Sequence, residues 1–98
     1  MIRDQWKIDT PYKDRCIAVM VEHLAALRAK AGVTQEEISN VICVSRQTYY
    51  AYETKKRNLP WTTYLSIILF FDSNMQTHAM LRDIGAYPTE LMRRIEMS

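Results

Sequence analysis

Ninety-eight residues, 48% of them hydrophobic, with two glycines and three prolines, predict one small, globular, short-looped helical domain, residues 1–98, with room for one core but not two. The formal charge of +2 is too small to demand a polyanionic partner on its own. The longest unbroken apolar run, Ile67 to Phe71, is far too short to cross a bilayer, and no apolar run follows Met1-Ile2-Arg3-Asp4 as in a signal peptide, so no membrane partner and a cytoplasmic location are expected.

Residues 1–9 read as an arm, either loosely tethered or docked through Trp6. Thr10-Pro11 reads as a helix start, Thr as cap and Pro in the first helical position. Ile17, Met20, Val21, Leu24, Leu27 and Ala31 then recur at three- and four-residue steps, predicting one amphipathic helix over about 11–31 that Gly32 ends. Two short helices with a tight break are expected over about 35–54. Thr34 and Glu37 have capping-box spacing for the first, and Ser45 is placed to cap the second through the amide of Gln47 or Thr48. Ile38 and Ile42 form the apolar face of the first; Tyr49 and Tyr52 form that of the second. This leaves Arg46, Gln47, Tyr50, Ala51 and Thr54 on one exposed side. Arg and Gln at the start of such a helix have the fork and amide geometry that fits base edges in a major groove, which makes the pair a helix-turn-helix proposal.

Leu59-Pro60 turns the chain into an apolar helix over about 61–71, with Trp61, Tyr64, Leu65, Ile68 and Phe71 on one face and Ile67 and Phe70 pointing elsewhere. A helix apolar nearly all round needs cover on both sides, from later segments or from a second subunit. Ser73 or Asn74 caps a further helix over about 75–84 carrying Met75, Ala79, Met80 (or Leu81) and Ile84 and closed by Gly85; the last spans about 89–97, with Leu91, Met92 and Ile95 as its face. The fold class expected is all-α, a small bundle of about five to six helices around a helix-turn-helix. Cys16 and Cys43 both fall at apolar positions and read as buried free thiols.

The wording Val33-Thr34-Gln35-Glu36-Glu37-Ile38-Ser39, Val44-Ser45-Arg46-Gln47-Thr48, Glu53 and Lys56-Arg57 before Pro60 resembles the Cro/phage-repressor-like (Xre-type, lambda-repressor-like) helix-turn-helix family, over about residues 24–71. The resemblance implies a phosphate contact for Gln35, base-facing positions for Arg46, Gln47 and Ala51, and an internal pair between Arg28 and Glu53. Cys43 and Lys55 stand where that family usually has glycines. Either the turn geometry differs there or the chain tolerates left-handed strain of roughly 1 kcal/mol or more.

Nothing in the chain asks for catalysis, a cofactor or a metal. Two glycines leave no phosphate-cradling loop, the histidines lack metalloprotease spacing, and neither cysteine has an evident activating partner. The expected function is a sequence-specific, double-stranded DNA-binding transcriptional regulator of repressor type. Arg46 would read guanine; Gln47 would read adenine or share a phosphate-and-base role with Gln35; Ser45, Thr48, Tyr50, Lys55, Lys56 and Arg57 would set the docking on the backbone, Tyr50 being equally suited to a thymine methyl. Between Ser45 and Pro60, Arg46, Lys55, Lys56 and Arg57 face Glu53 alone, a phosphate footprint beside the exposed helix. A homodimer through Trp61–Phe71 and the C-terminal helices would read a partly palindromic site. The alternative is a protein-interaction module, antitoxin-like, on the same fold with a protein partner and little base reading.

Overall fold

Asp9, not Thr10, starts the first helix. In the computed structural model, which describes residues 1–98, the Asp9 carboxylate accepts the Tyr12 amide at 2.8 Å, and helix α1 runs Thr10–Ala31 with Pro11 in its first turn. A charged cap at the positive end of a helix dipole outcompetes the neighbouring hydroxyl. Then follow α2 (Gln35–Val41), α3 (Arg46–Glu53), α4 (Trp61–Ser73), α5 (His78–Asp83) and α6 (Thr89–Glu96), with a single 3-10 turn at Asp4–Trp6 ahead of α1 and no strand. The all-helical bundle expected from composition and periodicity is the observed fold.

The core gathers residues from each of the first five helices. Met20, Leu24 and Leu27 of α1 meet Ile38 of α2, Tyr49 and Tyr52 of α3, Tyr64, Ile67, Ile68 and Phe71 of α4, Leu81 of α5 and Ala86. Burying each large apolar side chain stabilises the bundle by about 1.5–3 kcal/mol, and helices of seven or eight residues need it, being too short to hold alone. On α4 the stripe is rotated from the expected one. Ile67 is fully buried, while Trp61 and Leu65 sit at the margin and Leu69 is exposed. The reason is that α4 is packed from two sides, by α1 and by α5, so the 64–67–68–71 face is the one enclosed.

Four helices end on the same hydrogen-bond pattern, and two of them do so without glycine. At Gly32 (φ 73°) and Gly85 (φ 74°) the following amides, of Val33 and Ala86, reach back to Arg28 and Leu81 carbonyls. At Cys43 (φ 60°) Val44 N–H donates to Ser39 O at 3.0 Å, and at Lys55 (φ 62°) Lys56 N–H donates to Ala51 O at 2.9 Å. All four are left-handed caps of one type. The turn geometry therefore does not change at the non-glycine positions; Cys43 and Lys55 adopt it under strain. Because its turn projects outward, Cys43 is exposed rather than buried as expected; Cys16 is buried.

The segment after α4 departs most from expectation. Met75 lies outside any helix and is exposed, because Asn74 Oδ1 accepts Gln76 N–H (2.8 Å) in a tight turn and Thr77 Oγ1 donates to Phe71 O (2.6 Å). These bonds delay α5 to His78. Its buried residue is Leu81, and Ala79 faces solvent. Tyr64 Oη donates to Ala86 O at 2.8 Å, and Arg82 lies 3.9 Å over the Tyr87 ring while bonding Asp72 at 2.7 Å, so the 72–87 stretch is clamped to α4. The N-terminal arm is docked: Arg94 of α6 donates to Lys7 O (3.1 Å) and Gln5 O (3.5 Å).

Cys43→Gly should relieve a left-handed penalty of about 1–2 kcal/mol against a backbone-entropy loss of about 0.5–1 kcal/mol. The expected result is a net gain of roughly 0.5–1 kcal/mol, a rise of a few degrees in the melting temperature. An unchanged or lowered melting curve would remove strain at this turn from the account.

Candidate nucleic-acid interface

The motif is held by caps that the sequence announces. Thr34 and Glu37 make the full capping box: Glu37 N–H donates to Thr34 Oγ1 at 3.0 Å and Thr34 N–H to Glu37 Oε1 at 2.9 Å. Ser45 Oγ accepts Thr48 N–H at 3.0 Å, and its own proton goes to Thr48 Oγ1 at 2.9 Å. Of the two amides open to Ser45, Thr48 is the one used. Tyr49 and Tyr52 lock the inner face of α3 into the core. Opposite them Arg46, Gln47, Tyr50 and Thr54 face solvent and Ala51 is half-buried, so the expected outer face is present as one side of the helix.

One carboxylate ties the motif to α1. Arg28 Nε donates to Glu53 Oε2 at 2.8 Å and Arg28 Nη2 to Glu53 Oε1 at 3.1 Å, a bidentate pair whose Glu53 side chain is only 9% exposed. The internal pair implied by the family resemblance is formed. Gln35 Nε2 also donates to Glu53 Oε1, at 3.4 Å, so this side chain is engaged internally at the start of α2. Burial by itself would raise the Glu53 pKa, but Arg28, with the Tyr49 hydroxyl and the Gln35 amide adding to it, outweighs burial and holds the carboxyl below its ordinary value. Burial first, then the Glu53 charge, pushes the Tyr49 phenol well above the ordinary tyrosine value. Its hydroxyl is buried without a hydrogen-bond partner of ordinary geometry.

The basic residues divide into two groups. Arg46 shares an open polar depression with Arg28, Thr34, Gln35 and Glu36, where α1 ends and α2 and α3 begin. Lys55, Lys56 and Arg57 lie beyond the other end of α3. There Lys55 Nζ pairs with Glu22 Oε2 at 3.0 Å, and Lys56 Nζ lies 5.8 Å from the centre of the Tyr50 ring. Glu22, thirty-three positions away in the chain, moderates this basic cluster and carries no sequence signal that would have paired it with Lys55.

A short, doubly capped helix projecting polar side chains from a bundle is the geometry of a helix-turn-helix reader. A family model described as helix-turn-helix matches residues 24–72, half of the chain, and the protein belongs to this family of DNA-binding helix-turn-helix regulators. No curated protein and no solved structure matches the chain. None of its helices is long and apolar enough to cross a membrane.

Arg28→Ala strands a nearly buried carboxylate and should lower stability by roughly 2–3 kcal/mol. Because the folded Glu53 pKa lies below the unfolded value near about 4.3, the contribution is complete above that pH and fades as pH falls through the folded value. Melting curves should therefore separate wild type from Arg28→Ala at neutral pH and converge in acid. Equal melting temperatures at neutral pH would show that the pair contributes nothing.

Proposed function

We propose that the protein is a sequence-specific regulator of transcription, of repressor type, that binds double-stranded DNA as a homodimer across a partly palindromic site. The observation that carries this reading is the pair Arg46 and Gln47. They stand solvent-facing in the first turn of a recognition helix whose opposite face is fixed in the core. A guanidinium fork suits guanine O6 and N7, and a carboxamide suits adenine N6 and N7. Ala51 offers a methyl to thymine. Ser45, Thr48, Tyr50, Lys55, Lys56 and Arg57 dock the helix on phosphate and sugar, with Gln35 contributing from the start of α2. Base reading by one such helix gives few contacts, which is the physical case for two copies. The protein would act on DNA in the cytoplasm and needs no catalytic group.

A second reading, an interaction module bound to another protein, is favoured by two features: Glu22 compensates Lys55, and an uncharged apolar surface lies beside the turn between α2 and α3.

Selection from a random duplex pool at physiological salt tests the first reading. The expected result is an enriched motif with inverted halves. Arg46→Ala and Gln47→Ala should each lose about 1–3 kcal/mol, roughly 5- to 150-fold in affinity, with relaxed preference at one position. Lys56→Ala and Arg57→Ala should weaken all sequences alike and each lower the salt slope by about one. A pool without enrichment, or binding indifferent to Arg46 and Gln47, would overturn base reading.

A further inference from the structure

Three consecutive cations follow α3, and the turn sends the first two to different places. Lys55 holds the left-handed cap (φ 62°), and the amides of Lys56 and Arg57 both donate to Ala51 O, at 2.9 and 3.2 Å. The backbone from which these side chains leave is thereby fixed. Lys56 Nζ goes to the ring of Tyr50 on the outer face of the reading helix, 5.8 Å from its centre. Lys55 Nζ turns instead toward α1 and meets Glu22 Oε2 at 3.0 Å. This pairing is tertiary, across 33 positions, and both side chains stay accessible, Lys55 at 65% and Glu22 at 63% exposure.

A carboxylate oxygen at that distance gives Lys55 the charge and the hydrogen bond that a DNA phosphate oxygen would give it. Glu22 and phosphate therefore compete for one positive charge. Because both partners are solvated, a ligand arriving from outside can enter that competition, and duplex DNA enters it with one charge per about 1.7 Å of axis. The glutamate is displaced, but binding must first break its contact and then leave its charge beside the phosphates. We infer that Glu22 is an intramolecular stand-in for phosphate, which holds Lys55 off the DNA backbone in the free protein and so lowers affinity for all sequences alike. The inference rests on the DNA reading above and names a residue that restrains it. Glu22 acts from α1, outside the reading helix, so affinity is set apart from preference. Arg46 and Gln47 choose among sequences, and Glu22 limits the attraction common to all of them.

Fluorescence anisotropy of a labelled random-sequence duplex, titrated with the full chain at several salt concentrations, tests this without requiring base reading. Glu22→Gln keeps the side-chain shape and removes the charge. It should tighten binding about two- to fivefold at physiological salt, and more at lower salt, with an unchanged melting curve because Glu22 is exposed. Lys55→Met should weaken binding and lower the salt slope by about one. The double variant decides the matter: with Lys55→Met in place, Glu22→Gln should lose most of its effect. An equal gain with and without Lys55 would make Glu22 a general repulsive charge and overturn the inference. So would a Glu22→Gln chain that binds as wild type does. If neither wild type nor Glu22→Gln binds duplex at any salt, the DNA reading falls and the restraint with it. A Lys55-dependent gain in a protein that enriches no motif from the pool would support the restraint and overturn base reading alone.

Discussion

The Arg28–Glu53 pair is the constraint on which the reading geometry depends. Helix α3 has eight residues, about 12 Å of length, and no stability of its own. Tyr49 and Tyr52 decide which face it buries, but apolar packing alone permits a helix to slide or swivel. A bidentate ion pair does not, because both oxygens must stay in the guanidinium plane. Since Gln35 leans on the same carboxylate, the end of α1, the start of α2 and the end of α3 are fixed relative to one another through a single side chain. Desolvating the two charges offsets much of their attraction, so the pair's main product is orientation.

Electrostatics and apolar surface are separated along the motif. Polar and basic groups occupy the outer face of α3 and the loop after it, while the turn before it opens onto an uncharged groove. The balance at the basic end is finer than the count of cations suggests. Glu22 neutralises Lys55 in the folded state, and Lys55 in turn holds the Glu22 carboxyl below its usual value. Both side chains are solvated, so the pair is weak and a phosphate could displace the glutamate at little cost.

Legibility in the sequence followed the range of the interactions. Caps and stripes act over three or four residues, so the capping box at Thr34, the Ser45 cap, the Tyr49–Tyr52 face and the glycine stops at Gly32 and Gly85 could all be read directly. Where two local signals competed, the stronger charge won, as Asp9 did over Thr10. What escaped depended on tertiary packing. Ile67 is buried because α1 and α5 flank α4, α5 begins late because Thr77 bonds back to Phe71, and Cys43 is exposed because its turn projects. Glu22 reaching Lys55 belongs with these. The Arg28–Glu53 contact was reached only through family wording, and the strain at Cys43 and Lys55 became definite once their backbone angles matched those of the two glycines.

Helix α6 places the longest-range hydrogen bonds of the chain on the least buried of the six helices. Its bonds to Gln5, Lys7 and Tyr12 span 79 to 89 positions, yet none of its residues is buried. What holds it to the start of the chain is these few hydrogen bonds and the half-buried Leu91 and Met92. The motif, by contrast, is joined to α1 across 25 positions at a nearly buried carboxylate. The ties that hold the motif are thus more enclosed than those that hold α6.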